Sequence, residues 1–181
     1  MKMDKVAGSR NDEFYTPEYA ILPILKYLKP NSNVWCPFDT FDSNFYKLLK
    51  LNWHNPIVSH IENWWDFFNM IGSEFSENRK PLIIDYIISN PPYSLKTEVF
   101  EKLFELWIPF AMLVWVVWLF ESQKRFEMFR DNEFEIMYLN RRVSYFKNYD
   151  DQKPSLNPPF SSVYLCSWIL PEKIMFQEIK K

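Results

Sequence analysis

The chain has 181 residues, of which 48% are hydrophobic and 19% are aromatic, and its formal net charge at pH 7 is -2. These values predict one soluble globular domain with a single core, because two domains of this total length would be cramped. Only two glycines, Gly8 and Gly72, are present, which argues against a glycine-rich phosphate-binding loop. Cys36 and Cys166 lack metal-binding spacing, so we expect free thiols, no metal site and a cytoplasmic location.

Two segments bear on targeting and on membranes. Residues 1–14 lack the apolar core of a signal peptide, and we expect them to be disordered. The most apolar run, residues 107–120, is too short to span a bilayer and contains Pro109. This run is therefore predicted to be a strand buried on both faces, and no membrane partner is expected.

Helices and strands alternate along the predicted chain. Helical spacing of apolar residues, capping residues and short apolar runs give the assignments. The predicted helices cover 16–29, 42–50, 95–107 and 121–131, with a short one opening at Pro171. The predicted strands cover 33–38, 56–61, 81–89, 110–120, 134–139 and 161–170. This alternation predicts an α/β fold, with a mainly parallel twisted sheet and helices on both faces.

Ligands of such sheets bind beyond the carboxyl ends of the strands, near the point where strand order reverses. Three polar segments follow predicted strands: "PFD" at 37–39, "SHIEN" at 59–63 and "SNPPYS" at 89–94. Residues 147–159 form a polar, proline-bearing loop that we expect to face the substrate. A second Asn-Pro-Pro, at 157–159, is interpreted as a rigid entry to the last strand.

The segment at 89–94 has the chemistry of a base pocket. Pro91 and Pro92 fix φ, remove two backbone donors and hold Asn90 extended at the strand end. The Asn90 carboxamide oxygen and a nearby backbone carbonyl are acceptors suited to an exocyclic amino group, and Tyr93 offers a face for a flat base. The pattern therefore predicts an adenine pocket, although Asn-Pro-Pro also occurs as an ordinary strand exit.

Two acceptors on an exocyclic amine would localise its lone pair and aim it at an electrophile. The predicted reaction is direct displacement at the sulfonium methyl group of S-adenosylmethionine. It needs neither a metal nor a covalent enzyme intermediate.

Five ordered segments carry a family resemblance: Thr16-Pro17, Trp35 to Asp39, His60-Ile61, Asp66 to Phe68 and Ser89 to Pro92. They resemble the Asn-Pro-Pro-Tyr amino-methyltransferases, specifically the phage-type DNA adenine N6 methyltransferase-like proteins. The resemblance runs almost end to end. It implies a Rossmann-like S-adenosylmethionine-dependent methyltransferase fold over residues 1–181 and, for a phage protein, a location in the host-cell cytoplasm.

The resemblance also implies roles for individual residues. Six residues would border the methionine end of the cofactor: Tyr15, Thr16, Pro17, Pro37, Phe38 and Asp39. The Asp39 carboxylate would accept a hydrogen bond from the amino group of the cofactor. Those holding its ribose and adenine would be Glu62, Asp66 and Phe67, with Phe68 as the other ring contact. Those holding the target adenine would be Asn90, Pro91, Pro92 and Tyr93. On local sequence alone, the Asp39 turn could merely lead into the next helix, and Asp66 could cap a turn.

The turn after the first predicted strand, residues 36–45, has no glycine, whereas most methyltransferases have a glycine-rich turn there. A sequence pI near 5.8 and the absence of a visible recognition domain leave substrate choice open. DNA is favoured, with RNA as the other nucleic acid. The alternative function is a catalytically inert, methyltransferase-like phage counter-defence protein that binds a nuclease or DNA. A tryptophan-rich surface would indicate a protein partner or a homodimer.

Overall fold

The computed structural model describes residues 15–60, 67–69, 76–77, 80–117, 119–156 and 161–180. Its helices are α1 Glu18–Leu25, α2 Asn44–Leu51, α3 Lys96–Leu106 and α4 Gln123–Asp131, and a 3-10 turn covers Tyr93–Leu95. Its strands are β1 Asn33–Cys36, β2 Asn55–Val58, β3 Ser76–Glu77, β4 Lys80–Pro81, β5 Tyr86–Ser89, β6 Phe110–Trp115, β7 Glu135–Leu139, β8 Tyr145–Phe146, β9 Pro154–Leu156, β10 Ser162–Ser167 and β11 Ile174–Gln177. The expectations for residues 1–14 and 157–160 lie outside the described residues.

Seven strands form the central sheet, in the order β11-β7-β10-β6-β5-β1-β2. Only β10 among these strands is antiparallel to its neighbours, β6 and β7, and the other pairings are parallel. The mainly parallel sheet predicted from the sequence is confirmed. The chain leaves β1 toward β2 on one side and later returns to pair β5 on the other, so strand order reverses between β1 and β5.

Helices cover both faces of this sheet, as predicted. Buried residues of α1 and α2 pack with Val34 and Cys36 of β1 on one face. Buried residues of α3 and α4 pack with Trp35 on the opposite face. The alternation of side chains along a strand thus divides the core into two layers, one on each side of the sheet.

Helix α1 is shorter than the predicted 16–29. It ends at Leu25, and the tighter bonds Tyr27 N–H to Ile24 carbonyl and Leu28 N–H to Leu25 carbonyl, both 3.1 Å, close its last turn. Pro17 occupies the N-cap position, and no side chain caps the helix. The Thr16 hydroxyl is therefore not used as the helix cap that the Thr-Pro pair predicted.

The predicted strand 81–89 is wrong in extent. Only Tyr86–Ser89 join the central sheet, whereas Pro81 belongs to β4, which pairs with β3 in a separate ribbon. Asp85 fastens the entry to β5, since its carboxylate accepts from the Asn33 N–H at 2.8 Å and its own N–H donates to the Asn33 carbonyl at 2.9 Å. The apolar run from 81 therefore includes a connection, in which Ile83 is exposed.

Most other elements differ from the predictions by a few residues at their ends, and three further segments differ more strongly. The predicted helix at Pro171 is wrong, because Ile174–Gln177 form β11, which pairs parallel to the outer edge of β7. A single helical turn is costly to nucleate, while the open edge of β7 offers backbone partners. The strand predicted over 110–120 ends at Trp115, where its partner β10 begins at Ser162. The loop predicted over 147–159 contains β9, which pairs with β8.

Trp53 has a left-handed backbone conformation just after the end of α2. Its φ is 64° and its side chain is 82% exposed. The bonds from Trp53 N–H to Lys50 carbonyl and His54 N–H to Leu49 carbonyl form a Schellman motif, in which glycine is the preferred residue at this position. We expect Trp53→Gly to raise the free energy of unfolding by about 1 kcal/mol, measured by urea denaturation. The matched variant Leu51→Gly, at the right-handed end of α2, should lower it by about the same amount; a loss in both would show that the Trp53 ring stabilises the fold.

Within the part of the chain that is described, no helix combines the length and the apolar character needed to cross a membrane.

Candidate active site

The carboxyl ends of β1 and β5 meet where the strand order reverses, and polar side chains are concentrated there. Asp39 follows β1, and Ser89 is the last residue of β5. The Ser89 hydroxyl donates a hydrogen bond to Asp39 Oδ2 at 2.5 Å. The hydroxyl of Ser43, the N-cap of α2, also hydrogen-bonds the Asp39 carboxylate and accepts from the Tyr46 N–H at 3.1 Å. One carboxylate therefore joins β1, β5 and α2.

Asp39 is only 8% exposed. Burial raises its pKa from 3.8 to about 6, although the hydrogen bonds from Ser89 and Ser43 act in the lowering direction. A cationic ligand group next to this carboxylate would favour its ionised form. The position therefore suits an ammonium group.

Buried hydrogen bonds of Ser59 stabilise the turn that carries Asp39. Pro37 is buried, and its carbonyl accepts from the Ser59 hydroxyl at 3.5 Å, while the same hydroxyl accepts from Trp35 Nε1 at 2.8 Å. Burial, with the nearby charge of Asp39, raises the pKa of the Cys36 thiol well above its usual value. Cys36 is therefore a packing residue beneath the turn and not a nucleophile.

Phe38 and Phe67 meet beside this turn with ring centroids 5.0 Å apart. Phe67 also packs on Trp35, with centroids 5.4 Å apart, and is only 3% exposed. The structure thus places Phe67 in the core layer under Phe38, while the neighbouring Phe68 is half-buried. Glu62 and Asp66 lie outside the described residues.

The segment before α1 reaches the same site. Tyr15 exchanges two backbone hydrogen bonds with Phe146 and stacks on Tyr149, with centroids 4.0 Å apart. Thr16 is buried, and its carbonyl accepts from Asn44 Nδ2 at 3.0 Å. Because Asn44 directly follows Ser43, the segment from Tyr15 to Pro17 lies next to the Asp39 turn.

The Asn90 motif begins one residue after Ser89. Asn90 is half-buried and Pro91 is buried. Pro92 has φ -59° and ψ 130°, and its carbonyl accepts from the Leu95 N–H at 3.2 Å, which starts the 3-10 turn. Two adjacent prolines and this turn make the backbone of the motif rigid.

Tyr93 belongs to an aromatic cluster. Its ring stacks on Trp115 with centroids 3.9 Å apart and planes 22° apart. Lys96 is only 8% exposed, and its Nζ is 5.0 Å from the Tyr93 centroid and 5.7 Å from the Trp115 centroid. Since these distances are nearly equal, the ammonium lies beside the stacked pair and does not cover the outer face of Tyr93.

Tyr145 lies against the same cluster. Its hydroxyl is 2.9 Å from Ser162 Oγ and also contacts the polar atoms of Tyr93 and Trp115. Burial raises the pKa of Tyr145 to about 12, so this phenol remains protonated at neutral pH. It acts as a fixed polar support under the Tyr93–Trp115 pair.

Sequence reasoning missed several residues of the site, which are Ser43, Asn44, Ser89, Lys96, Trp115 and Tyr145. Ser89 could have been found as a hydroxyl placed between a buried strand and the motif. Trp115 ends the strand next to β5, so its ring was a candidate neighbour of Tyr93. The contribution of Tyr145 depends on β8, which is short and carries no strong periodic pattern.

Comparison with known proteins supports the fold. No protein-family model matches the chain, and no curated protein matches it. A solved structure assigned as a modification subunit of a type I restriction enzyme from Vibrio vulnificus YJ016 is similar over 90% of this chain, with a TM-score of 0.50 and 12% sequence identity. The match covers 46% of that protein's chain, so the present chain spans less than half of its length. The chain therefore shares the α/β fold of that subunit, with a mainly parallel sheet and helices on both faces.

Proposed function

We propose that the chain is an S-adenosylmethionine-dependent methyltransferase that acts on the N6 amino group of adenine in DNA. One observation carries the proposal: the Ser89 hydroxyl bonds the Asp39 carboxylate at 2.5 Å, and the next residue is Asn90 of the Asn-Pro-Pro-Tyr motif. The residues assigned to the cofactor and to the target base therefore adjoin each other across β1 and β5. Methyl transfer requires this proximity.

The residues on the cofactor side fit the methionine end of S-adenosylmethionine. The Asp39 carboxylate is a buried anion that suits the amino group of the cofactor. The Thr16 hydroxyl oxygen is buried and has no hydrogen-bond partner among the described residues, which is costly unless a ligand or water bonds to it. Tyr15, Pro17, Pro37 and Phe38 complete this side of the site. When bound, the cofactor supplies the electrophilic methyl group.

The target base would be held by the motif. The Asn90 carboxamide oxygen would accept one hydrogen of the adenine amino group. Because the Pro92 carbonyl already bonds Leu95, the Pro91 carbonyl is the backbone acceptor left for the other hydrogen. Bonding both hydrogens aims the nitrogen lone pair, and alignment provides most of the rate. The base would stack on the outer face of Tyr93, with Trp115 behind it.

An adenine in a duplex must leave the stack to reach this pocket. Arg141 and Arg142 are exposed and lie just after β7, separated from it by Asn140. Because β7 runs in the same direction as β5 and β6, these arginines lie at the same edge of the sheet as Tyr93. They are our candidates for phosphate contacts, which supply affinity without reading sequence. DNA is the proposed substrate, and RNA is the nucleic acid to test beside it.

The test combines binding and chemistry. Calorimetric titration with S-adenosylmethionine and S-adenosylhomocysteine should show binding. Incubation with labelled S-adenosylmethionine should give N6-methyladenine in DNA and none in an oligonucleotide without adenine. A folded protein that binds neither compound would overturn the proposal. That result would favour the inert counter-defence protein that binds a nuclease or DNA.

Two substitutions of Tyr93 distinguish the contribution of its ring to base stacking from the contribution of its hydroxyl group. Tyr93→Ala should raise the KM for DNA about 10-fold or more, since base–aromatic stacking contributes about 1–3 kcal/mol per base. Tyr93→Phe keeps the ring and removes the hydroxyl group, so its KM for DNA should change by less than about 3-fold. Steady-state kinetics at saturating S-adenosylmethionine measure both. An equal increase in KM for DNA in the two variants would contradict the stacking role of Tyr93.

A further inference from the structure

Asn44, the first residue of α2, carries a buried oxygen that the fold does not use. The side chain is 1% exposed, and Nδ2 donates to the Thr16 carbonyl at 3.0 Å and to Gln152 Oε1 at 3.3 Å. Because the Thr16 carbonyl can only accept, these contacts fix which end of the carboxamide is nitrogen. Asn44 Oδ1 is buried and has no hydrogen-bond partner among the described residues. A buried acceptor left in this state is destabilising.

A second unused polar atom lies on the adjoining segment. Thr16 Oγ1 is likewise buried without a partner among the described residues. The two segments are joined by the bond from Asn44 Nδ2 to the Thr16 carbonyl. The preceding residue, Ser43, hydrogen-bonds the Asp39 carboxylate. An acceptor, a hydroxyl and a carboxylate are thus brought together at the start of α1 and α2.

We propose that Asn44 is a further cofactor-binding residue, whose Oδ1 accepts from the α-ammonium group of the cofactor's amino-acid end. Asp39 shares that ammonium group, and the Thr16 hydroxyl donates to the α-carboxylate. This inference rests on the proposed function, and it specifies that the site selects ligands with an intact zwitterionic amino acid. Gln152 reaches Asn44 from the loop between β8 and β9.

The experiment compares two ligands that differ only in the amino-acid end. S-adenosylhomocysteine has it, whereas 5′-methylthioadenosine keeps the nucleoside thioether and lacks it. Calorimetry with the full chain should show that Asn44→Leu weakens S-adenosylhomocysteine binding about 10- to 100-fold, as expected for a lost hydrogen bond to a charged group. Binding of 5′-methylthioadenosine should change by less than about 2-fold.

Two variants make the result specific. Gln152→Leu removes the other partner of Nδ2 and leaves Oδ1 in place, so it should change S-adenosylhomocysteine binding by less than about 3-fold. Thr16→Val removes only the hydroxyl and should also weaken S-adenosylhomocysteine selectively, which keeps the test valid if Asn44→Leu does not fold.

Three other outcomes of these binding measurements would overturn the inference or the proposed function. Equal weakening of both ligands in Asn44→Leu and Thr16→Val would assign these residues a structural role and overturn the inference. Unchanged binding of S-adenosylhomocysteine in both variants would also overturn it and would assign the two unused atoms to buried water. Wild-type protein that binds neither ligand would overturn the proposed function itself.

Discussion

Asn90→Ala is expected to lower the rate of methyl transfer at least 100-fold and to leave the fold intact. The variant removes one of the two acceptors that would hold the adenine amine, and loss of one such positioned group typically costs 100- to 1000-fold in rate. Asn90 follows the last residue of β5 and is half-buried, so truncation leaves the central ladder unbroken. Single-turnover transfer of labelled methyl to DNA measures the rate, and urea denaturation checks stability.

The matched control is Asn90→Asp, which keeps an oxygen acceptor at the same position. Its rate should fall less than that of Asn90→Ala, because an aspartate oxygen can still accept from the amine. Binding of S-adenosylhomocysteine should be the same in both variants within about 3-fold. An Ala variant that keeps more than a tenth of the wild-type rate would exclude Asn90 from the transition state.

Asp39→Asn should have opposite effects on cofactor affinity and on stability. The variant removes the anion proposed to bind the cofactor's ammonium, so S-adenosylhomocysteine affinity should fall 10-fold or more. The Asn oxygen can still accept from the Ser89 hydroxyl, but no charge remains to be buried. Because the pKa of Asp39 is raised from 3.8 to about 6, the ligand-free variant should be more stable than wild type at pH 7.5 by at most about 3 kcal/mol.

The pH dependence gives the sign of this effect. A carboxyl with a raised pKa binds its proton more tightly in the folded state. Its stabilising contribution is complete below 3.8 and is lost as pH rises through about 6. The stability gap between Asp39→Asn and wild type should therefore be small at pH 4 and should widen by pH 7.5, measured by urea denaturation without ligand. A gap that is equal at both pH values would show that the Asp39 charge is not the cause.

The sequence was most informative where a segment forms its own local structure. Helix α2 follows the Ser43 cap, and α4 follows the Ser122 cap, whose hydroxyl accepts from the Arg125 N–H at 3.2 Å. The sequence predictions were wrong where pairing with a segment distant in the chain determines the secondary structure. Residues 174–177 form a strand because β7 offers an edge, and Pro81 pairs away from the sheet because it lies in the β3–β4 ribbon.

The same distinction applies to the site. Asn90 to Tyr93 and Asp39 could be named from the sequence because rigid turns and strand ends leave clear local patterns. Their partners could not, because Ser89 meets Asp39 only through the pairing of β5 with β1. Trp115 likewise meets Tyr93 only through tertiary packing. The roles of Glu62 and Asp66 remain predictions.

The position of β10 determines the order in which this protein can be assembled. β10 lies between β6 and β7, although both precede it in the chain. Until residues 162–167 have been synthesised, β6 and β7 each keep an unpaired edge, and β7 has no link to the rest of the sheet. A nascent chain stopped before Ser162 would therefore expose backbone edges that favour aggregation. Folding of the sheet thus depends on a late strand insertion, which makes this strand a sensitive place for truncation or ribosome stalling.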